Sequence, residues 1–223
     1  MCGRFSLDRT ADVLEARFKA KLRISNYTPL YNIGPGMPAA CIPMDDEDGI
    51  FMYHWGLAPQ SKEGVARNLI NARTETVCSK WPFAKLVKTG RCIVPASGYV
   101  EWKAIGKSKI PFLHKVRGQE LFSMAGIFED HGDKRRFTLL TMPAGPIAAG
   151  IHDRMPVILE KEEEAEWLAH SSNPEKLVQK FLVKKEAALE AFSVSSKLNR
   201  SFDNDPKLIE PCPFSIPEQL SLF

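Results

Sequence analysis

The chain has 223 residues with a formal net charge of +3, which is long enough for one sizeable domain and permits an anionic partner without requiring one. No apolar run approaches the ~20 residues that span a bilayer, and the N-terminus lacks the apolar segment of a signal peptide. The five cysteines form no C-x-x-C pair, which argues against a disulfide framework or a zinc ribbon. We therefore expect a cytoplasmic protein with reduced thiols.

Hydrophobic spacing predicts one helix near the start and then a series of short strands. Leu14, Phe18 and Leu22 recur every four residues and predict an amphipathic helix over residues 8–22, capped by Asp8 or Thr10. A loop over residues 27–38, with its turn core at 32–36, follows. Apolar runs of strand length then predict strands at residues 39–42, 50–55, 92–96, 111–116, 121–128, 137–142 and 157–159.

The C-terminal part of the chain is predicted to hold two helices followed by an irregular tail. Residues 160–170 predict a helix with Trp167 and Leu168 turned inward, and Asn173 is expected to cap another helix that has Pro174 at its first position. Four prolines between residues 206 and 223 predict an irregular tail. Many strands with few helices, and no linker, indicate a single α+β domain over residues 1–223.

Cys2 is the candidate with the most unusual chemistry. If Met1 is removed, Cys2 carries a thiol and a free α-amine on adjacent carbons. This 1,2-aminothiol can act as an N-terminal nucleophile, or it can condense with an aldehyde to a Schiff base and then to a thiazolidine ring. An α-amine has a pKa of roughly 7.7–8.0, so more of it is neutral at physiological pH than of a lysine amine, near 10.4. The structural alternative is an inert buried thiol.

Three later segments place reactive side chains beside turns. Asn71 lies in residues 68–75, Glu101 in residues 97–102 and His152 in residues 150–156. Together with Cys2 they offer a nucleophile, an orienting amide, a carboxylate and an imidazole. Each also has a structural interpretation: Asn71 as a turn cap, Glu101 as a surface partner of a lysine, and His152 as a histidine satisfied within its turn.

Six short motifs in a fixed order resemble the SOS-response-associated peptidase (SRAP) family, whose members crosslink to abasic sites in DNA. The resemblance implies a single domain built around a barrel-like, mainly antiparallel sheet with peripheral helices. The motifs are M-C-G-R-F at residues 1–5, Y-N-I-G-P-G at 31–36, W-G-L-A-P at 55–59, N-A-R at 71–73, G-Y-V-E-W at 98–102 and I-H-D-R-M-P at 151–156.

The resemblance also implies a mechanism and the residues that perform it. The α-amine and thiol of Cys2 attack the ring-opened aldehyde of an abasic site in single-stranded DNA, and the resulting thiazolidine shields the lesion. Asn71 matches the asparagine that holds the abasic sugar, Glu101 the catalytic carboxylate and His152 the active-site histidine. An unperturbed histidine pKa near ~6.5 suits proton transfer during ring opening, and a carboxyl whose pKa is raised by burial suits the later dehydration.

Arg4 and Arg73 match arginines that hold the DNA backbone, and the guanidinium fork suits phosphate. Neither a cofactor nor a metal is implied, and we expect a monomer that associates with the nucleoid when it acts on DNA. The chain departs from the family at residues 60–64, which hold no aromatic residue where better-known members often carry tryptophan. This departure puts the preference for particular DNA junctions in doubt.

Two other function classes fit an N-terminal cysteine. One is an N-terminal-nucleophile amidohydrolase or peptidase, such as a class II glutamine amidotransferase, although the chain lacks a second synthase domain. The family's peptidase label belongs to this class and would make Cys2 a proteolytic or autoproteolytic nucleophile. The other is a non-covalent reader of single-stranded or modified DNA.

Overall fold

The structure is a computed structural model that describes residues 2–61, 64–65, 68–132, 134–170, 173–199 and 203–213. Within these ranges the chain forms sixteen strands, five α-helices and two short 3-10 helices. The strands are β1 Arg4–Leu7, β2 Lys21–Leu22, β3 Leu30–Ile33, β4 Pro38–Pro43, β5 Gly49–Trp55, β6 Gln60–Ser61, β7 Gly64–Val65, β8 Asn71–Arg73, β9 Arg91–Ala96, β10 Gly98–Ile105, β11 Ser108–Val116, β12 Phe122–His131, β13 Lys134–Pro143, β14 Arg154–Pro156, β15 Ile158–Leu159 and β16 Leu189–Ser193; the helices are α1 Ala11–Phe18, α2 Phe83–Thr89, α3 Pro146–Ala149, α4 Lys161–Leu168 and α5 Pro174–Leu182, with 3-10 turns at Ser196–Asn199 and Pro206–Ile209.

Five strands close into a barrel around the main core. In the order β13, β12, β9, β4 and β5 each strand pairs with the next, and β5 pairs back onto β13. Only the closing β5–β13 pair is parallel, with Phe137 opposite Trp55. The predicted α+β architecture with a mainly antiparallel, barrel-like sheet is therefore confirmed, and closure leaves none of these five strands as an unpaired edge.

A second sheet fixes the start of the chain. Its strand order is β16-β11-β10-β1-β3, so β1 lies between two partners. Arg4 stands opposite Val100 and Phe5 opposite Tyr99 in antiparallel register. This register brings the residues just before β1 alongside the middle of β10, where Glu101 lies.

Trp55 anchors the core where the barrel closes. Its indole is fully buried, stacks on Phe137 with ring centroids 6.3 Å apart, and meets the edge of Phe5 at 5.1 Å. Its Nε1 donates a 2.9 Å hydrogen bond to the carbonyl of Ile70. Trp55 thus packs three strands together and satisfies its polar atom, as a buried tryptophan requires.

The predicted strands all form, but the predicted loop over residues 27–38 is wrong in part. Leu30–Ile33 forms β3, because Asn32 and Ile33 are buried against β1, with Ile33 opposite Phe5. The apolar run in this segment is too short to predict a strand from the sequence alone. Its extended conformation therefore depends on the pairing with β1.

The first helix is shorter than predicted. It spans Ala11–Phe18 after Thr10 and ends at Lys19, whose backbone is left-handed with φ 53°. Leu22 therefore leaves the helix and joins β2, which pairs with β5. The hydrophobic spacing correctly predicts that Leu14 is buried, but it does not predict the residue at which the helix ends.

The two predicted C-terminal helices are confirmed. Glu160 forms a capping box with Glu163 at the start of α4, and Asn173 Oδ1 accepts a 3.0 Å hydrogen bond from the Lys176 amide at the start of α5. The predicted irregular tail is wrong for Pro206–Ile209, which forms a 3-10 turn, and residues 214–223 lie outside the described part. No described helix has the length and hydropathy to cross a bilayer.

Replacement of Trp55 by alanine should destabilise the fold strongly. Loss of a buried aromatic side chain costs about 3–5 kcal/mol in unfolding free energy, because the cavity only partly collapses. Urea denaturation followed by circular dichroism measures this loss. Val183→Ala is the control, because that side chain is 84% exposed and should change stability by no more than about 0.5 kcal/mol. Equal effects of the two substitutions would contradict the assigned role of Trp55.

Candidate active site

Cys2 is held by one hydrogen bond from its side chain and one to its backbone carbonyl. Its side chain is fully buried, and Sγ donates to the Arg4 carbonyl at 3.6 Å. The Cys2 carbonyl accepts a 2.8 Å hydrogen bond from Asn71 Nδ2. The position of the thiol is thus defined by contacts with β1 and β8.

Asn71 reaches Cys2 because β8 runs parallel to β13 at the barrel. Asn71 lies opposite Leu139 in this pairing, and its neighbour Ala72 turns into the core. Asn71 does not cap a turn, since its Nδ2 is bound to Cys2. Its Oδ1 is buried and has no hydrogen-bond partner among the described residues, so it can accept a hydrogen bond from a ligand hydroxyl.

Glu101 lies inside the protein, so its interpretation as a surface partner of a lysine is wrong. The residue is 2% exposed, and burial raises the pKa of its carboxyl to about 7. Burial, and next the charge of Glu101, raise the pKa of the Cys2 thiol well above its ordinary value. Near neutral pH the site therefore holds a neutral thiol beside a carboxyl that can both give and take a proton.

His152 lies in the turn between α3 and β14, and its side chain is 29% exposed. Its Nδ1 accepts a 3.1 Å hydrogen bond from the Arg154 amide and lies 2.9 Å from Asp153 Oδ1. The first contact requires a neutral imidazole, whereas the second suits an imidazolium. Burial lowers the pKa of His152, which favours the neutral form with the proton on Nε2.

The loop that carries His152 also lies within electrostatic reach of Glu101. The charge of Asp153 contributes to the raised pKa of Glu101, after the larger effect of burial. Sequence motifs separated by 69, 99 and 150 positions from Cys2 thus converge, through Asn71, Glu101 and the His152 loop.

The two arginines predicted to contact DNA adjoin members of this cluster in the sequence. Arg4 follows Cys2 by two residues and is half-buried, and Arg73 follows Asn71 by two residues and is exposed. The Arg4 guanidinium lies directly over Gly34, where any Cβ would overlap it. Contact of these arginines with DNA stays a prediction.

Tyr99 and His114 form a buried pair that the sequence reasoning missed. Their rings stack with centroids 4.4 Å apart and both side chains are fully buried. Tyr99 is two residues from Glu101 on β10, and burial followed by the charges of Cys2 and Glu101 raises its pKa. The alternation of strand side chains within the G-Y-V-E-W motif could have indicated Tyr99, but nothing in the sequence marks His114.

Arg154 supports the site from outside. Both terminal guanidinium nitrogens of Arg154 donate to the Glu75 carboxylate, with Nη2 2.9 Å from Oε2. Nη2 also donates to the Thr141 carbonyl at 2.6 Å. Its hydrogen bonding to Glu75 is the main reason that the pKa of Glu75 falls to about 2. The pair ties the turn after β8 to β14, and so joins the segments that carry Asn71 and His152.

The other cysteines take no part in the cluster as described. Cys41, Cys78, Cys92 and Cys212 are free thiols. Among the residues that the structure describes, no group of three or more histidine, cysteine or acidic side chains could hold a metal ion.

Comparison with known proteins gives one consistent family. The family model "SOS response associated peptidase (SRAP)" matches residues 1–201. The chain is 35% identical over 222 residues to the abasic site processing protein YoqW of Bacillus subtilis (strain 168), covering 94% of this chain and 99% of that protein. It is also 35% identical over 182 residues to the abasic site processing protein YedK of Escherichia coli (strain K12), covering 75% of this chain and 79% of that protein.

Solved structures share the same fold. A crystal structure of a Bacteroides thetaiotaomicron protein matches with a TM-score of 0.84 at 27% identity, covering 95% of this chain and 100% of that one. A crystal structure of a phage-related protein from Bordetella bronchiseptica matches with a TM-score of 0.70 at 25% identity, covering 86% of this chain and 94% of that one.

The raised pKa of Glu101 should make stability depend on pH. The folded-state pKa of about 7 lies above the ordinary value of 4.5, so this stabilisation is complete below about pH 4.5 and is lost as the pH rises through 7. Glu101→Gln has no such group to ionise. Its unfolding free energy relative to wild type should therefore rise by about 3 kcal/mol between pH 4.5 and pH 8, at 1.36 kcal/mol per pKa unit.

Urea denaturation of both proteins across this pH range measures the difference. Parallel stability profiles would mean that Glu101 ionises with an ordinary pKa, and that it is not desolvated in the folded protein.

Proposed function

Because the chain belongs to the SOS response associated peptidase family, we propose that it processes abasic sites in DNA by crosslinking to them through Cys2. The family match over residues 1–201 and the relatives named abasic site processing proteins support the reaction class. The single observation that supports a role for these particular residues is the 2.8 Å hydrogen bond from Asn71 Nδ2 to the Cys2 carbonyl, beside the buried Glu101.

The proposed reaction begins when Met1 is removed and the Cys2 α-amine becomes free. The amine adds to the aldehyde carbon of the ring-opened abasic sugar and forms a carbinolamine. Loss of one water leaves an iminium ion, and the Cys2 thiol then adds to the same carbon and releases its proton. The product is a five-membered thiazolidine, and the net reaction releases one water molecule without oxidation or reduction.

Glu101 is suited to two consecutive steps of this sequence. With a pKa of about 7 its protonated form can donate to the departing hydroxyl of the carbinolamine. The carboxylate that results lies within electrostatic reach of the Cys2 thiol, whose pKa is raised. It can therefore take the thiol proton as sulfur bonds to carbon, which returns Glu101 to its starting state.

In this proposal His152 and Asn71 act on the abasic sugar, His152 in proton transfer and Asn71 in hydrogen bonding. The abasic deoxyribose rests mainly as a cyclic hemiacetal, so ring opening needs a proton taken from a hydroxyl and one given to the ring oxygen. His152 is partly exposed, and its lowered pKa leaves it available as a base at neutral pH. The buried Oδ1 of Asn71 can accept a hydrogen bond from a sugar hydroxyl while Nδ2 keeps its hydrogen bond to the Cys2 carbonyl.

An unpaired strand is the proposed substrate because Cys2 is fully buried. An abasic sugar must leave the duplex stack to reach it, and unstacking costs least when the strand is already single. In this proposal Arg4 and Arg73, which follow Cys2 and Asn71 by two residues each, contact phosphates of the strand. We propose that the chain acts as a monomer on nucleoid DNA.

Cys2→Ala should eliminate the stable crosslink and leave the fold intact, because the thiol closes the ring. The free α-amine of the variant should still give a Schiff base that a hydride reductant traps. The measurement is a denaturing gel of protein mixed with a single-stranded abasic oligonucleotide. Cys212→Ala is the control, since that thiol is exposed and free.

Three outcomes, two read from this gel and one from the gel together with an assay of amide hydrolysis, would contradict the proposal. A stable crosslink of Cys2→Ala without reductant would make another residue the nucleophile. A wild-type complex that does not survive denaturation would favour a non-covalent reader. Absence of any complex, together with release of ammonia from glutamine or cleavage of a peptide, would favour the amidohydrolase or peptidase alternative.

Glu101→Gln should slow crosslinking by about 10²–10⁴-fold without weakening DNA binding, because a general acid acts mainly in the transition state. Single-turnover crosslinking gives the rate, and fluorescence anisotropy with an undamaged oligonucleotide gives the affinity. Glu162→Gln is the control, since Glu162 is an exposed carboxylate on α4. If rate and affinity fell together, Glu101 would be a DNA contact or a folding residue instead.

A further inference from the structure

Trp81 is the only aromatic side chain among the large hydrophobic residues that stand exposed in the described part of the chain, at 60%. It borders a cleft of about 440 Å³, within the range of small-molecule sites, roughly 300–1,000 Å³. Pro59, from the W-G-L-A-P motif, lines the same cleft, and so does Lys85. An indole held at the surface beside a cleft and a lysine is arranged for a planar ligand rather than for the core.

Two acidic residues, Glu129 and Asp130, also line the cleft, and both already accept hydrogen bonds from the protein. One oxygen of Glu129 accepts from the Ala58 amide at 3.1 Å, and Asp130 Oδ1 accepts from Arg135 Nε at 2.8 Å. Carboxylates can also accept from the exocyclic amino groups of bases. The cleft thus combines a stacking surface, hydrogen-bond acceptors and a cation at Lys85, which together fit a nucleobase with its phosphate.

The cleft is also connected to the proposed active site. Trp81 lies eight residues beyond Arg73, and the chain between them is wound into tight turns. Eight fully extended residues span at most about 28 Å, and the turns of this segment shorten that span, so a strand of several nucleotides would reach from Arg73 to Trp81. The backbone bonds that wind this segment are Val77 N–Arg73 O, Lys80 N–Thr76 O and Ala84 N–Lys80 O, all between 2.9 and 3.0 Å.

We propose that this cleft is a second contact for the DNA strand, where an unpaired base near the abasic site stacks on Trp81 and Lys85 meets its phosphate. The inference rests on the proposed function, since it extends the strand from Arg73 to the cleft. Stacking on an aromatic side chain tolerates any base, so the cleft adds affinity without sequence preference. It sets a minimum strand length for tight binding.

The experiment compares two undamaged single-stranded oligonucleotides, one of about 12 and one of about 2 nucleotides, by fluorescence anisotropy. Trp81→Leu should bind the longer strand about tenfold more weakly, because leucine keeps an apolar contact but cannot stack. Trp81→Phe should keep most of the affinity. Binding of the shorter strand, which cannot reach both sites, should be the same in all three proteins.

Salt dependence tests the proposed phosphate contact. Lys85→Gln should reduce the slope of log K against log salt for the longer strand by about 0.7, the value for one phosphate contact on a single strand. Lys161→Gln is the matched control, because Lys161 lines a different cleft with Phe18 and Ile93. Equal slopes for Lys85→Gln and wild type would remove Lys85 from the interface.

The result that overturns the inference is a Trp81→Leu protein with wild-type affinity for the longer strand. A protein partner, rather than DNA, would then be the better occupant of the cleft. This failure is separable from that of the proposed function, which is tested by crosslinking of wild type to a short strand that carries an abasic site. Unfolding midpoints of the variants should equal that of wild type, since Trp81 and Lys85 are exposed.

Discussion

The hydrogen bond from Asn71 Nδ2 to the Cys2 carbonyl joins the start of the chain to the barrel. The first residues of a domain are usually its least ordered part, so a reactive terminus needs contacts that hold it. Here β1 is paired on both sides, and the amide of Asn71 fixes the residue that lies just before it. The barrel supports this contact through the β8–β13 pairing and through the Arg154–Glu75 ion pair.

Burial decides the chemistry that such a terminus can perform. Removal from water keeps the Cys2 thiol neutral and raises the pKa of Glu101 to about 7. A neutral nucleophile and a half-protonated carboxyl suit a condensation that first needs an acid and then a base. Of the two arginines predicted to contact DNA, Arg73 is exposed and Arg4 is half-buried against Gly34, so Arg73 is the more accessible to phosphate.

Much of the barrel could be predicted from the sequence because its strands are continuous apolar runs. The exceptions are informative: β8 is only three residues long and buries only Ala72 between two polar side chains, so no local pattern marks it. Similarly, β3 is a strand because β1 pairs with it, and that partner is distant in sequence. The six motifs supplied the candidate site residues, but the burial of Cys2 and the Tyr99–His114 stack depend on long-range packing that spacing cannot show.

The central claim is that both the amine and the thiol of Cys2 bond to one carbon of the abasic sugar. Carbon-13 NMR of the purified adduct, with the sugar labelled at its aldehyde carbon, tests this most directly. The account predicts a saturated carbon bonded to nitrogen and sulfur, and a Cys2 thiol that no longer reacts with an alkylating agent. An imine carbon, or an adduct with a reactive Cys2 thiol, would contradict it.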